Sequence, residues 1–240
     1  MRRYDKYLEE TFVKELSLYS SDIPLIDYIL KKIIPYYNGS KYHRYDANHI
    51  LKKLLVADRA YRVLPFEKYV LHEKFILTMI ACEDLDEVTM SHKRLRHGDH
   101  TVDFMYANLH NDLEVMLGPQ NMTWMYNCIL GNRNNLMPYK PYHPDNIQLT
   151  YRTILSDINR IALLPYDYAI STTFHDLAID APQYSVEHMM FKTWAMLKMT
   201  FSRDIATPEL RDNEQVNRLV EEMRMILNET AKDKDLSYYI

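Results

Sequence analysis

Ile80-Ala81-Cys82-Glu83-Asp84-Leu85-Asp86-Glu87 is the stretch on which the fold turns. An apolar run from about Phe66 carries Tyr69, Val70, Phe75, Ile76, Met79 and Ile80 at helical spacing, and it ends in adjacent carboxylates. Carboxylates at the inner end of an apolar helix lose hydration. They need a metal ion, an Arg or Lys, or solvent at a turn to offset that loss.

Helical periodicity continues on both sides of this stretch. Tyr4, Tyr7, Leu8, Phe12 and Leu16 predict an amphipathic helix over about 3–18. Ser21 or Asp22 can cap the next helix, with Pro24 in its first turn and Leu25, Ile26, Ile29, Leu30 and Ile33 as its apolar face until Pro35. Asn38-Gly39-Ser40 then marks a turn. Asp46 is placed to cap a helix running to about Arg62, with His49 one turn inside it. Further helices are expected over Trp124–Leu130, Ile147–Leu164, Tyr184–Phe201 and Pro208–Lys232.

Composition agrees with an all-α chain. Four glycines in 240 residues leave too little turn chemistry for a many-stranded β protein, and 47% hydrophobic residues suffice for a sizeable core. The expected organisation is a single domain over 1–240, with an N-terminal helix (1–21), a core (22–180) and a C-terminal helical layer (181–240). Within that layer, Val186, Met189, Met190, Trp194, Leu197 and Met199 spread over more than one helix face, which calls for core packing or contact with another copy of the chain. A net charge of −4 gives no general case for nucleic acid as a partner. Cys82 and Cys128 lie in apolar context and read as buried free thiols. The charged start and the lack of any apolar run of about 18 residues predict a soluble, cytoplasmic protein with no membrane association.

Two residues on other helices could share a site with Glu83 and Asp84. His49 lies beside Ile50, Leu54 and Leu55, and Asp157 lies one turn from Ile154 and Ile161. Taken separately, His49 reads as a hydrogen-bonded core or surface histidine and Asp157 as a satisfied buried or edge aspartate. Together, three helices present His, Glu-Asp and Asp in that order.

In this pattern the chain resembles the HD-superfamily metal-dependent phosphohydrolases. Arg44-Tyr45-Asp46-Ala47-Asn48-His49 is similar to that family's Tyr-His-Asn-x-x-His segment in length and in its final His. Ala81-Cys82-Glu83-Asp84 resembles its His-Asp pair, with Glu in place of His. Leu155-Ser156-Asp157-Ile158, followed by Ile161-Ala162-Leu163-Leu164-Pro165, resembles the closing Asp segment. Asp167–Ala178, Phe191–Leu197, Ile205–Leu210, Glu214 and Arg218 are similar to the later helices, so the likeness spans roughly residues 22–228.

The resemblance implies an HD-like helical bundle with additional C-terminal helices. In it His49, Glu83, Asp84 and Asp157 would hold a divalent metal, and Asp84 would position metal-activated water against a nucleotide or other small phosphorylated compound. A carboxylate in place of an imidazole favours Mn²⁺ or Mg²⁺. The basic stretch Ser91–His100 offers Lys93, Arg94 and Arg96 as phosphate contacts and His97 or His100 as ligand or proton donor. It reads equally well as a solvated loop before a helix starting near His100 or Thr101. Arg133, in the long loop from Gly131 to Asn146, is a further candidate phosphate contact. The alternative is a non-catalytic HD-like binding or regulatory protein whose altered pair no longer holds metal.

Overall fold

The computed structural model describes residues 5–19, 23–64, 73–89, 99–131, 147–232 and 236. The described residues are predominantly helical, with no strand among them. The helices are α1 (Lys6–Tyr19), α2 (Ile23–Tyr28), α3 (Ile34–Tyr37), α4 (Ala47–Val63), α5 (Glu73–Cys82), α6 (Leu85–Thr89) and α7 (Asp99–Asn108). They continue as α8 (His110–Leu117), α9 (Pro119–Gly131), α10 (Ile147–Ile161), α11 (Tyr166–Asp180), α12 (Val186–Phe201), α13 (Pro208–Arg211) and α14 (Glu214–Thr230). No helix among the described residues is long and apolar enough to cross a membrane.

The bundle is arranged around α4, which packs against α1, α3, α5, α10 and α13. Its central place follows from its sequence: Ala47, Ile50, Leu51, Leu54, Leu55, Ala57 and Ala60 are all buried. A wide apolar face of this kind can serve several neighbours at once. Asp46 starts the helix, its side chain accepting the His49 N–H at 2.8 Å. On the far side α5 is buried along most of its length, and Phe75 meets Tyr151 of α10 at 4.3 Å between ring centroids. Buried residues from Phe12 to Leu227 join into a contiguous core. Each fully buried Leu or Ile contributes roughly 1.5–3 kcal/mol of transfer free energy.

Two expectations about helix ends are corrected. The helix expected to stop at Pro35 runs on through Tyr37. Proline in a regular helix orphans a carbonyl and clashes with the preceding turn, but a π-helical turn over Ile29–Ile33, closed by the Ile34 N–H on the Ile29 carbonyl, widens the spiral just before it. The last helix, expected as one piece from Pro208, is broken into α13 and α14. Asn213 caps the second piece by accepting the Val216 N–H at 3.2 Å. On α12, Met189, Thr193, Ala195, Leu197 and Phe201 turn inward, while Val186 and Met199 are exposed. Both cysteines are buried and free, as expected.

Candidate functional site

Glu83 and Asp84 form the turn between α5 and α6, and both are buried. Their backbone is held first. The Glu83 N–H closes α5 on the Met79 carbonyl at 2.9 Å, and the Thr101 hydroxyl of α7 donates to the Glu83 carbonyl while accepting the Asp86 N–H, each at 3.3 Å. Just upstream, the Tyr37 hydroxyl donates to the Ala81 carbonyl at 2.8 Å. The turn is therefore clamped from α3 and α7, and the two carboxylates project into the interior.

What meets them there is Lys53 of α4. Its ammonium contacts the Glu83 Oε1, and it lies 2.8 Å from the Asp84 Oδ2. The residue is 2% exposed. Asn159 of α10 donates to the other Glu83 oxygen at 3.3 Å, so α4, the α5–α6 turn and α10 meet at Glu83. Burial pulls the lysine pKa down, but Asp84 and Glu83 outweigh it and hold the group above its ordinary value. Burial pushes the Glu83 carboxyl up to about 7, with Lys53 opposing the rise and Asp84 adding to it.

His49 is one helical turn before Lys53 on the same face of α4. Its Nδ1 is 2.9 Å from the Tyr168 hydroxyl of α11, and the two rings lie nearly parallel. Lys52 lies over the Tyr168 ring, 3.4 Å from its centroid, and donates to the Leu164 carbonyl at 2.6 Å.

Asp157 is fully buried, but its carboxylate works elsewhere. It accepts the Ala206 N–H at 3.2 Å, the Thr207 N–H at 2.8 Å and the Thr207 hydroxyl at 2.7 Å, with Arg160 3.9 Å away. It thereby anchors the segment that starts α13. Helix geometry explains the division of labour on α10: residues two apart are rotated by about 200°, so Asn159 reaches Glu83 while Asp157 points to the opposite side.

The segment leading into α4 is strapped to α11 by a second polar group. Asp176 accepts the His43 N–H at 2.6 Å and the Arg44 N–H at 3.2 Å, Arg44 donates to the Thr173 hydroxyl at 3.0 Å, and Tyr42 donates to Asp180 at 2.8 Å. The His43 and His175 rings stack at 3.4 Å. This strap fixes the start of α4, and with it the direction from which His49 and Lys53 enter.

The sequence-expected residues thus fall into separate groups. Glu83 and Asp84 stand together with Lys53 and Asn159, His49 engages Tyr168, and Asp157 engages residues 206–207. His100 is half-buried in the first turn of α7, next to Thr101, which touches the Glu83–Asp86 turn. Lys93, Arg94, Arg96, His97 and Arg133 lie outside the described residues. Lys53, Asn159 and Tyr168 were not singled out from the sequence. Lys53 carried a usable signal: it follows His49 by four residues on a face otherwise filled by Ile50, Leu54 and Ala57, and a lysine on an apolar face demands an acidic partner.

Among the described residues the donors do not fit a metal centre. Two carboxylates already share an ammonium, the third carboxylate is saturated by donors on the far side of α10, and no group of three or more His, Cys, Asp or Glu among the described residues could hold a metal ion. Comparison with the models of known protein families, with curated proteins and with solved structures gives no match.

Proposed function

We propose that this chain is a non-catalytic, HD-like helical binding or regulatory protein. The observation that carries the reading is the dispersal of the four residues the sequence resemblance assigns to one ion. Each has its own internal partner: Lys53 for Glu83 and Asp84, Tyr168 for His49, and the residue 206–207 segment for Asp157. Metal-dependent phosphoester hydrolysis needs a carboxylate free to bind the ion and an ion that activates water. Here the same side chains hold helices together. The partner is proposed to be a protein or a nucleotide, and self-association through the exposed Val186 and Met199 of α12 is a further part of the proposal.

The competing reading is a metal-dependent phosphohydrolase acting on a nucleotide or other small phosphorylated compound with Mn²⁺ or Mg²⁺. It rests on the segment likeness around His49, Glu83-Asp84 and Asp157. A screen of nucleotides and phosphoesters with each cation separates the two. The proposed reading expects no turnover above a protein-free control. Turnover that disappears in both His49→Ala and Asp157→Ala would sink it.

A further inference from the structure

The geometry points to Lys53 as a built-in cation: its ammonium stands where a metal ion would have to stand to serve Glu83 and Asp84. This rests on the non-catalytic reading above and goes further, because it says why the fold needs no ion.

Three observations converge. Lys53 reaches the carboxylates from α4, one turn beyond His49, so its stem runs from the helix that would supply an imidazole ligand to the turn that would supply the carboxylates. The ammonium touches one oxygen from each of two consecutive residues, as a shared ion would. Asn159 orients the remaining Glu83 oxygen from a third helix, the kind of outer support that fixes a ligating carboxylate. Lys53, Glu83 and Asp84 are all buried, so the ammonium and not bulk solvent is the main counter-charge to the two carboxylates.

Size and charge are compatible with the exchange. An ammonium makes contacts of about 2.8 Å and carries one charge. A small divalent ion binds oxygen at about 2.0–2.1 Å and carries two, which matches two carboxylates better. Removing the lysine stem would leave both the space and the uncompensated anions that such an ion requires.

The test is a Mn²⁺ titration, followed by thermal unfolding, of the wild-type chain, of Lys53→Ala, and of Lys53→Ala combined with Glu83→Gln and Asp84→Asn. The expected result is a saturable rise in Tm in Lys53→Ala alone. The triple variant has the same cavity without the charges and should not respond. If Lys53→Ala does not fold without metal, recovery of folded protein from urea with and without Mn²⁺ gives the same reading. An unresponsive wild type with an equally unresponsive or permanently unfolded Lys53→Ala overturns the inference and leaves the non-catalytic reading standing. An equal rise in the triple variant also overturns the inference, because the ion would then be binding elsewhere. A saturable rise in the wild type overturns both.

Discussion

The buried Lys53 ammonium lies 2.8 Å from the Asp84 carboxylate and also holds Glu83. Buried charges of this kind are costly to separate. Removing one partner strands the others in a medium that cannot hydrate them, whereas neutralising all of them at once is far milder. Lys53→Met is therefore expected to lower unfolding free energy by about 3–5 kcal/mol. Adding Glu83→Gln and Asp84→Asn to it should recover most of that loss, as read by urea denaturation. A Lys53→Met variant as stable as the wild type would contradict the ion triad.

Asp157 makes a different prediction because its partners are backbone groups and a hydroxyl on a distant segment. Asp157→Ala leaves the Ala206 and Thr207 N–H groups without their acceptor. A loss on the order of 3 kcal/mol is expected, since hydrogen bonds to a charged group each contribute about 1.5–3 kcal/mol. Hydrogen exchange should accelerate at residues 206–211 before it does in α4 or α5. Uniform acceleration across the chain would argue against a local anchoring role.

The pH dependence follows from Glu83. Its folded-state pKa of about 7 lies above the ordinary 4.5, so the folded protein binds that proton more tightly than the unfolded chain does. The resulting stabilisation is complete below 4.5, declines as pH rises, and is gone above about 7. The wild-type urea midpoint measured relative to that of Glu83→Gln should fall between these limits. A difference from Glu83→Gln that grows over the same interval would contradict the raised Glu83 pKa.

Asp46 supplies a milder test. Its carboxylate caps α4 through the His49 N–H, and capping side chains of this type contribute about 1 kcal/mol. In urea denaturation Asp46→Ala should lose about that much, while Asp46→Ser should retain most of it; equal losses in the two variants would contradict the capping role.

The helices were largely legible because their signals are local. Asp46 reads as a cap from its own position, and the burial of α5 reads from its largely apolar stretch Phe75–Cys82. The π-helical turn before Pro35 was not legible, because proline ordinarily ends a helix and the compensating turn shows no distinctive residue. Asn213 was a recognisable cap that the continuous stripe from Leu210 to Ile226 obscured. At the site, the sequence correctly marked Glu83 and Asp84 as needing a partner and included Lys among the choices. The position of Lys53 on the apolar face of α4 marked it as needing an acidic partner, but nothing local pairs it with Glu83, 30 residues away. Asp157 was legible as a satisfied buried or edge aspartate, but two of its three donors are main-chain N–H groups some 50 residues away, which no side-chain pattern reveals.

The most direct measurement is a crystal structure of the wild-type chain grown with millimolar Mn²⁺ and recorded at the manganese absorption edge. The account predicts density for the Lys53 ammonium between the Glu83 and Asp84 carboxylates, no anomalous peak beside them, and Asp157 on the residue 206–207 segment. An anomalous peak ligated by His49, Glu83, Asp84 and Asp157, with Lys53 displaced, would contradict it.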